Sequence, residues 1–475
     1  MRGEAGVFPL DEKTIETVGN SLARQFQEKL GRNPRFVTGR DTRESGAWIE
    51  QAFRTGASVE GAHCESAEII TTPGVAFLTK KLDFDAGIVI SASHNPFQDN
   101  GIKIFSPDGK KIDEATERQI EKDIFQSLNS KLQTPYSDLS QQRTLTPQLR
   151  QRIEMLQMTT LELSNLIQQE TVFPLDNDGA VEMQNAYLNY LADEFRNLSL
   201  ENLKIVLDCA NGAASKLAPR LFQKLGAKLI VINDTPDGKN INENCGSLHL
   251  ENVQKKVLDE KADFGVAFDG DADRSLFVDE RGNLVDGDAV LWVMANHLRE
   301  NGKLNNQTVV ATVMSNIGLE IALNSKDIKL LRTAVGDKYV LQELLHINSA
   351  VGGEQSGHII FPFHSLVGDG MLTTLFLLEA MMGKDKSLSE MTEGFTKFPQ
   401  ILVNVKVREK QPFESVAEIA EAVAELEREL GAKGRLLLRY SGTENLARVM
   451  IEGENQTEIE TQANGLAEII RKSLG

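Results

Sequence analysis

The chain has 475 residues, 41% of them apolar and 25% charged, a balance typical of globular proteins and a length too great for one hydrophobic core. Its formal net charge of −18 argues against general binding to nucleic acid or to anionic membranes. Cys64, Cys209 and Cys245 are too few and too scattered for a disulfide framework, and neither an apolar run of about 18 residues nor a signal-like N-terminus is present, so a reducing cytoplasm is expected.

In chain order, short β-branched runs alternate with amphipathic stretches. "RFVTG" (35–39) precedes a helical pattern over 45–59, and "GIVIS" (87–91) follows. "KIVLDCA" (204–210), a helical 213–225, "KLIVIN" (228–233), "FGVAFD" (264–269), a helical 285–300, "TVVATVM" (308–314) and "AVGGE" (350–354) continue the alternation. Repeated βαβ units with mixed or parallel sheets are the expectation, an α/β fold. Blocks of 1–180, 181–297 and 298–398 emerge. After Pro399 the pattern changes to a strand "ILVNVKV" (401–407), a helix over 413–431, strands in "RLLLRYSG" and "LARVMIEG", and a last helix, which predicts a smaller α+β domain over 399–475.

Residues 127–170 break this rhythm. They are rich in Gln, Ser and Leu, lack glycine, and carry apolar stripes at Leu149, Ile153 and Leu156 and at Leu163, Leu166 and Ile167. Pro147 suits a helix start. The segment reads as an insert.

Four stretches carry chemistry. After the strand ending at Ile90, Ser93, His94 and Asn95 precede Pro96 and so lie on a loop at a strand's carboxyl end, where ligands sit in α/β sheets. Alone, this loop reads more readily as a capped turn, and the rest of the chain has to overturn that. Asp269, Asp271 and Asp273 follow an apolar strand at two-residue spacing, which puts three carboxylates on one side of an extended chain. Their mutual repulsion calls for a cation, and Mg²⁺ is the hard ion such oxygens suit. Adjacent Arg274 is placed to meet a phosphate. In "VGGEQSGHIIF" (351–361), Glu354, Gln355, Ser356 and His358 offer donors and acceptors for a polyhydroxylated molecule. Ser441, Gly442 and Thr443 form a tight hydroxyl-bearing turn flanked by Arg439 and Arg448, a candidate phosphate cradle without the lysine of a P-loop.

These stretches together resemble the α-D-phosphohexomutase superfamily, and most its glucosamine branch. "SASHNP" (91–96) is similar to the phosphoserine loop, "DGDADR" (269–274) to the magnesium loop, "GEQSGH" (353–358) to the sugar loop and "RYSGTEN" (439–445) to the phosphate loop. "GRDTRESG" (39–46), "TTPGVAFL" (71–78), "DCANGAAS" (208–215), "NENCGSLH" (242–249) and "AVGDKYV" (334–340) fit as well. The resemblance implies four domains, three alike and the fourth an α+β lid. It implies an isomerase that interconverts glucosamine 6-phosphate and glucosamine 1-phosphate through a phosphorylated Ser93 and a 1,6-bisphosphate intermediate or activator. Phosphoglucomutase or phosphomannomutase activity is the alternative, as is a lapsed scaffold with a protein-docking insert.

Under that resemblance Mg²⁺ is held by Asp269, Asp271, Asp273 and a Ser93 phosphate oxygen, with Arg2, His94, Lys103 and Arg274 balancing charge. Lys103 or Asp337 moves the substrate proton. Lys338, Glu354, Gln355, Ser356 and His358 hold the sugar, and Arg439, Ser441, Gly442, Thr443, Asn445 and Arg448 hold its phosphate. The partner is a phosphosugar, without nucleic acid or membrane, and the state is a monomer or homodimer. Three departures stand out. The strand that precedes "RG" in relatives is missing, so Arg2 is expected to be weakly anchored and activity or stability impaired. Lys338 replaces a frequent Arg, and Asn445 a frequent Pro. Residues 145–170 resemble the activator-interacting segment of the nitrogen-limitation sigma factor, which implies a protein contact there.

Overall fold

The computed structural model describes residues 1–132, 177–441 and 444–475. The chain divides into two compact units, Met1–Tyr190 with Asp237–Lys239, and Leu191–Pro236 with Asn240–Gly475. The insert stripes, Gly442 and Thr443 lie outside the described residues.

The first unit is built on a five-stranded sheet in the order Arg2–Glu4, Asp99–Phe105, Ala86–Ile90, Arg35–Arg40, His63–Ile69. Arg35–Arg40 runs parallel to both of its neighbours, while Asp99–Phe105 and Arg2–Glu4 are antiparallel additions. Alternation decides the two faces: Phe36, Ala86, Ile88 and Ile90 join Ile15, Leu22, Phe53 and Ile120 in one core. The helix Glu12–Leu30 supplies much of that core and is bounded by clear stop signals. Asp11 accepts the Thr14 N–H at 3.1 Å, and Gly31 closes the other end at φ 67°.

Arg2, expected to be weakly held, is anchored. It pairs with Gly101 in antiparallel register, and Ile102 N–H donates to the Met1 carbonyl at 3.0 Å. Glu114–Leu132 is a continuous helix, so regular structure runs past residue 127, where the insert was expected to begin.

The second unit repeats the arrangement. Its five-stranded sheet has the order Leu284–Val285, Ser275–Asp279, Phe264–Phe268, Lys204–Asp208, Lys228–Ile232, again with antiparallel strands added at one edge of a parallel trio. A four-stranded sheet follows (Lys329–Thr333, Thr308–Thr312, Gly352–Gly353, Ile359–Ile360), then a three-stranded antiparallel sheet (Gln400–Lys406, Leu446–Glu452, Arg435–Tyr440) covered by the helices Ala417–Leu430 and Gln456–Leu474. Two expected helices are shorter than their sequence patterns. Over 213–225 the chain makes a 3-10 turn at Ala213–Ser215 and then the helix Ala218–Lys224, because Pro219 fits only a helix's first turn. Over 413–431 a 3-10 turn at Phe413–Ser415 precedes Ala417–Leu430. "AVGGE" contributes only Gly352–Gly353 as strand.

The last sheet is tied to the third by one fully buried carboxylate. Glu452 accepts from Arg435 Nε at 2.9 Å, from the Ile317 N–H at 3.1 Å and from Asn316 Nδ2 at 3.3 Å. Glu452→Ala leaves Arg435 and a helix N-terminus without their acceptor and is expected to cost about 3 kcal/mol. A denaturation midpoint equal to that of the parent chain would contradict this.

Candidate functional site

In the first unit, the loop after Ala86–Ile90 is held by its backbone. Ser93 is buried with φ 56°, and its N–H donates to Ser91 Oγ at 2.9 Å. The Arg43 guanidinium donates to the carbonyls of Ser93 (3.1 Å) and Asn95 (2.5 Å) and is itself paired with Asp41. Both charged groups are fully enclosed, so solvent screens their attraction little. Asn95 donates to Asp99 at 2.8 Å and accepts from Arg2 at 3.4 Å, which brings Arg2 to this loop. His94 is half-buried beside Ser93, and Lys103 sits opposite Val89 on the neighbouring antiparallel strand. Arg43 and Asp41 escaped the sequence reading, although the quoted "GRDTRESG" contains both.

In the second unit, Asp269, Asp271 and Asp273 leave the carboxyl end of Phe264–Phe268, all buried, with candidate ligand oxygens within 4.8 Å of one another. The loop turns tightly: Ala272 takes φ 54°, its N–H donates to the Asp269 carbonyl at 3.0 Å, and the Arg274 N–H donates to Asp269 Oδ1 at 3.2 Å. Three buried, clustered carboxylate oxygens are the donor set a hard divalent cation requires. Burial works against the charge of Arg274, but Asp273, Asp269, Glu354 and Asp271 outweigh it and raise its pKa.

The sugar-type loop is joined to this acidic loop. Ser275 N–H donates to the Gly357 carbonyl at 3.1 Å, and Gly370 N–H donates to the Ala272 carbonyl at 3.0 Å. His358 is buried between them. Its Nδ1 lies 3.7 Å from Asp273 and its Nε2 lies 3.8 Å from Asp337, while Nε2 accepts the Gly368 N–H at 3.1 Å. That acceptor role puts the ring proton of the neutral form on Nδ1, facing Asp273. Glu354 accepts from the Gly336 N–H at 3.1 Å and from Ser356 Oγ at 3.2 Å. Asp337 begins the helix Asp337–Ile347, and Lys338 beside it is exposed.

On the C-terminal sheet, Arg439 and Arg448 face each other across antiparallel strands. Burial and the adjacent Arg448 both lower the pKa of Arg439. Arg448 reaches Ser441 Oγ at 3.4 Å, and Lys410 caps the Ser441 carbonyl at 2.7 Å. The Asn445 carbonyl accepts the Val407 N–H at 3.0 Å, which fixes the turn's far side.

Comparison with known proteins gives a consistent set of matches. Residues 1–131, 185–282 and 286–398 match the phosphoglucomutase/phosphomannomutase alpha/beta/alpha domains I, II and III, and residues 402–469 match the C-terminal domain of the same family. Residues 138–172 match the activator interacting domain of the sigma-54 factor. A phosphoglucosamine mutase of Solibacter usitatus (strain Ellin6076) is 42% identical over 475 residues, covering 100% of this chain and 98% of that protein. Among solved structures, a phosphoglucomutase/phosphomannomutase family protein of Burkholderia thailandensis aligns with TM-score 0.74 at 21% identity, over 100% of this chain and 96% of the other. The Aspergillus fumigatus N-acetylphosphoglucosamine mutase in complex with GlcNAc-6P and magnesium aligns with TM-score 0.59 at 20% identity, over 86% and 93% of the two chains. Among the described residues no helix is long and apolar enough to cross a membrane.

Proposed function

The chain belongs to the phosphoglucomutase/phosphomannomutase family, and from that premise we propose that it interconverts glucosamine 6-phosphate and glucosamine 1-phosphate, a cytoplasmic step toward amino-sugar nucleotides for the cell wall. The observation that carries the reading is the junction of a buried acidic trio with a loop of sugar-type donors and acceptors. Ser93 carries the phosphoryl group. Its loop needs no strong base, since a phosphate carrier needs position and charge balance more than nucleophilicity. Arg2, held by strand pairing, brings positive charge to the same loop, where His94 offers a ring nitrogen beside Ser93.

Asp269, Asp271 and Asp273 would hold Mg²⁺, which when bound offsets the charge of a transferring phosphoryl group. Arg274, enclosed by acidic neighbours, stays cationic and orients phosphate oxygens. Glu354 and Ser356 grip sugar hydroxyls, and His358 holds their loop against Asp273. Arg439, Arg448 and Ser441 bind the phosphate that is not reacting. After the first transfer the sugar is a 1,6-bisphosphate; it turns end over end, so the same clamp holds either phosphate, and glucosamine or glucose 1,6-bisphosphate serves as activator. Lys103 or Asp337 handles the hydroxyl proton.

Coupled assays on glucosamine, glucose and mannose 6-phosphates test the assignment. The highest kcat/KM is expected with glucosamine 6-phosphate, by about tenfold or more. A preference for glucose or mannose would reassign the chain to phosphoglucomutase or phosphomannomutase. The match of residues 138–172 favours a second reading, a mutase scaffold that docks a protein through 145–170. Absence of phosphate at Ser93 by mass spectrometry, with no turnover, would select it.

A further inference from the structure

The helix Gly287–Glu300 begins directly beneath the sugar-type loop. Gly287 N–H donates to the Gln355 carbonyl at 3.0 Å, and a Cβ on Gly287 would stand 2.0 Å from the Glu354 carbonyl oxygen. The loop backbone therefore rests on the helix's first turn. One residue further, Asp288 is fully buried, and its Oδ2 accepts two bonds: from the Asn316 N–H at 2.8 Å and from the side-chain amide of Gln355 at 3.2 Å. Asn316 is itself fixed, exchanging hydrogen bonds with the Phe398 backbone at 2.9 and 3.0 Å.

The side chain of Gln355 is thus committed to Asp288. Its neighbours Glu354 and Ser356 hydrogen-bond each other and are only partly buried. An amide can donate to the carboxylate; a second carboxylate at 355 could not, unless the two shared a proton. We propose that Gln355 is a positioning residue: paired with Asp288, it sets the seat of the loop that offers Glu354 and Ser356 to the sugar, and it does not itself select the substrate by contact. The inference rests on the mutase reading above. Its physical basis is that displacement of a binding loop by about 1 Å costs on the order of a hundredfold in rate.

The pair predicts a charge-and-amide exchange. Burial, and then Asp286, push the Asp288 pKa up to about 7, so the comparison is made well above that pH, where Gln355→Glu faces an ionised Asp288 with a like charge and should lift the loop. Asp288→Asn in the same chain removes the like charge; because Oδ2 accepts both bonds in the parent, its amide can serve the new carboxylate at position 355 and the Asn316 N–H together only after a small rotation that puts them on separate atoms. Full-length parent, Gln355→Glu and the double variant would be compared for kcat and KM on glucosamine 6-phosphate. Phosphate at Ser93 would be followed by mass spectrometry, and melting temperature measured alongside. Gln355→Glu is expected to raise KM about tenfold or more with Ser93 still phosphorylated, and the double variant, freed of the like charge, to recover at least part of that loss. A Gln355 that merely fills space would lower the melting temperature of Gln355→Glu without moving KM. A parent-like KM for Gln355→Glu, or a double variant as impaired as the single one, overturns the proposal. Should Gln355→Glu fail to fold, the double variant decides alone: recovered folding and KM support the pair, continued failure refutes it. A parent chain inactive on all three sugar phosphates sinks the mutase reading first. An active parent with an indifferent Gln355→Glu sinks only the pairing.

Discussion

Ser93→Ala is expected to lower mutase turnover by at least about a thousandfold and to remove the phosphoprotein signal. The loop itself should survive the change. Among its anchors are the Ser93 N–H on Ser91 and the Arg43 bonds to the Ser93 and Asn95 carbonyls, which use backbone atoms that alanine retains. Alanine accepts the left-handed φ of 56° no worse than serine does, so the melting temperature should scarcely move. Loss of activity without loss of fold isolates the hydroxyl as the phosphate carrier. Near-normal turnover in the presence of added glucose 1,6-bisphosphate would refute that role.

Asp271→Asn is expected to do two opposite things. Carboxylates with oxygens within 4.8 Å of one another repel by about 3.5 kcal/mol or more per pair at an effective dielectric of 20, partly offset by Arg274. Removing one charge should therefore raise the melting temperature of the metal-free chain. It should also abolish the upward shift that Mg²⁺ gives the parent and cut Mg²⁺-dependent turnover by about a hundredfold or more. Chelation of the parent should mimic the activity loss but not the added stability. A variant that keeps the Mg²⁺-induced shift would show that the trio is not the metal site.

Much of this was legible before any coordinates. The strands that carry the Ser93 and Asp269 loops are apolar, buried and short, and the acidic spacing suits a cation. Elements were missed where local pattern is weak. The strand His63–Ile69 is only partly buried along most of its length, so it shows no clean alternation, and it holds its place by parallel pairing to Arg35–Arg40. Arg2 was misjudged because its support comes from Gly101 and Ile102, about a hundred residues away in sequence. Asp288 was invisible for the same reason. Within its own segment it is an ordinary acidic residue in the first turn of a helix, and only the fold brings Gln355 and Asn316 to it. His358 was read as a sugar ligand from its position in the motif, and its closeness to Asp273 could be seen only in the fold.

The seam between Ala272–Ser275 and Gly357–Gly370 has a thermodynamic corollary. On the proposed function, a cation at the aspartates and a sugar at Glu354 would act on one continuous piece of hydrogen-bonded backbone, with His358 wedged into it. Linkage would then make their effects symmetrical: any factor by which Mg²⁺ tightens the sugar phosphate must equal the factor by which the sugar phosphate tightens Mg²⁺. Titrating either ligand at several fixed concentrations of the other would measure one number twice.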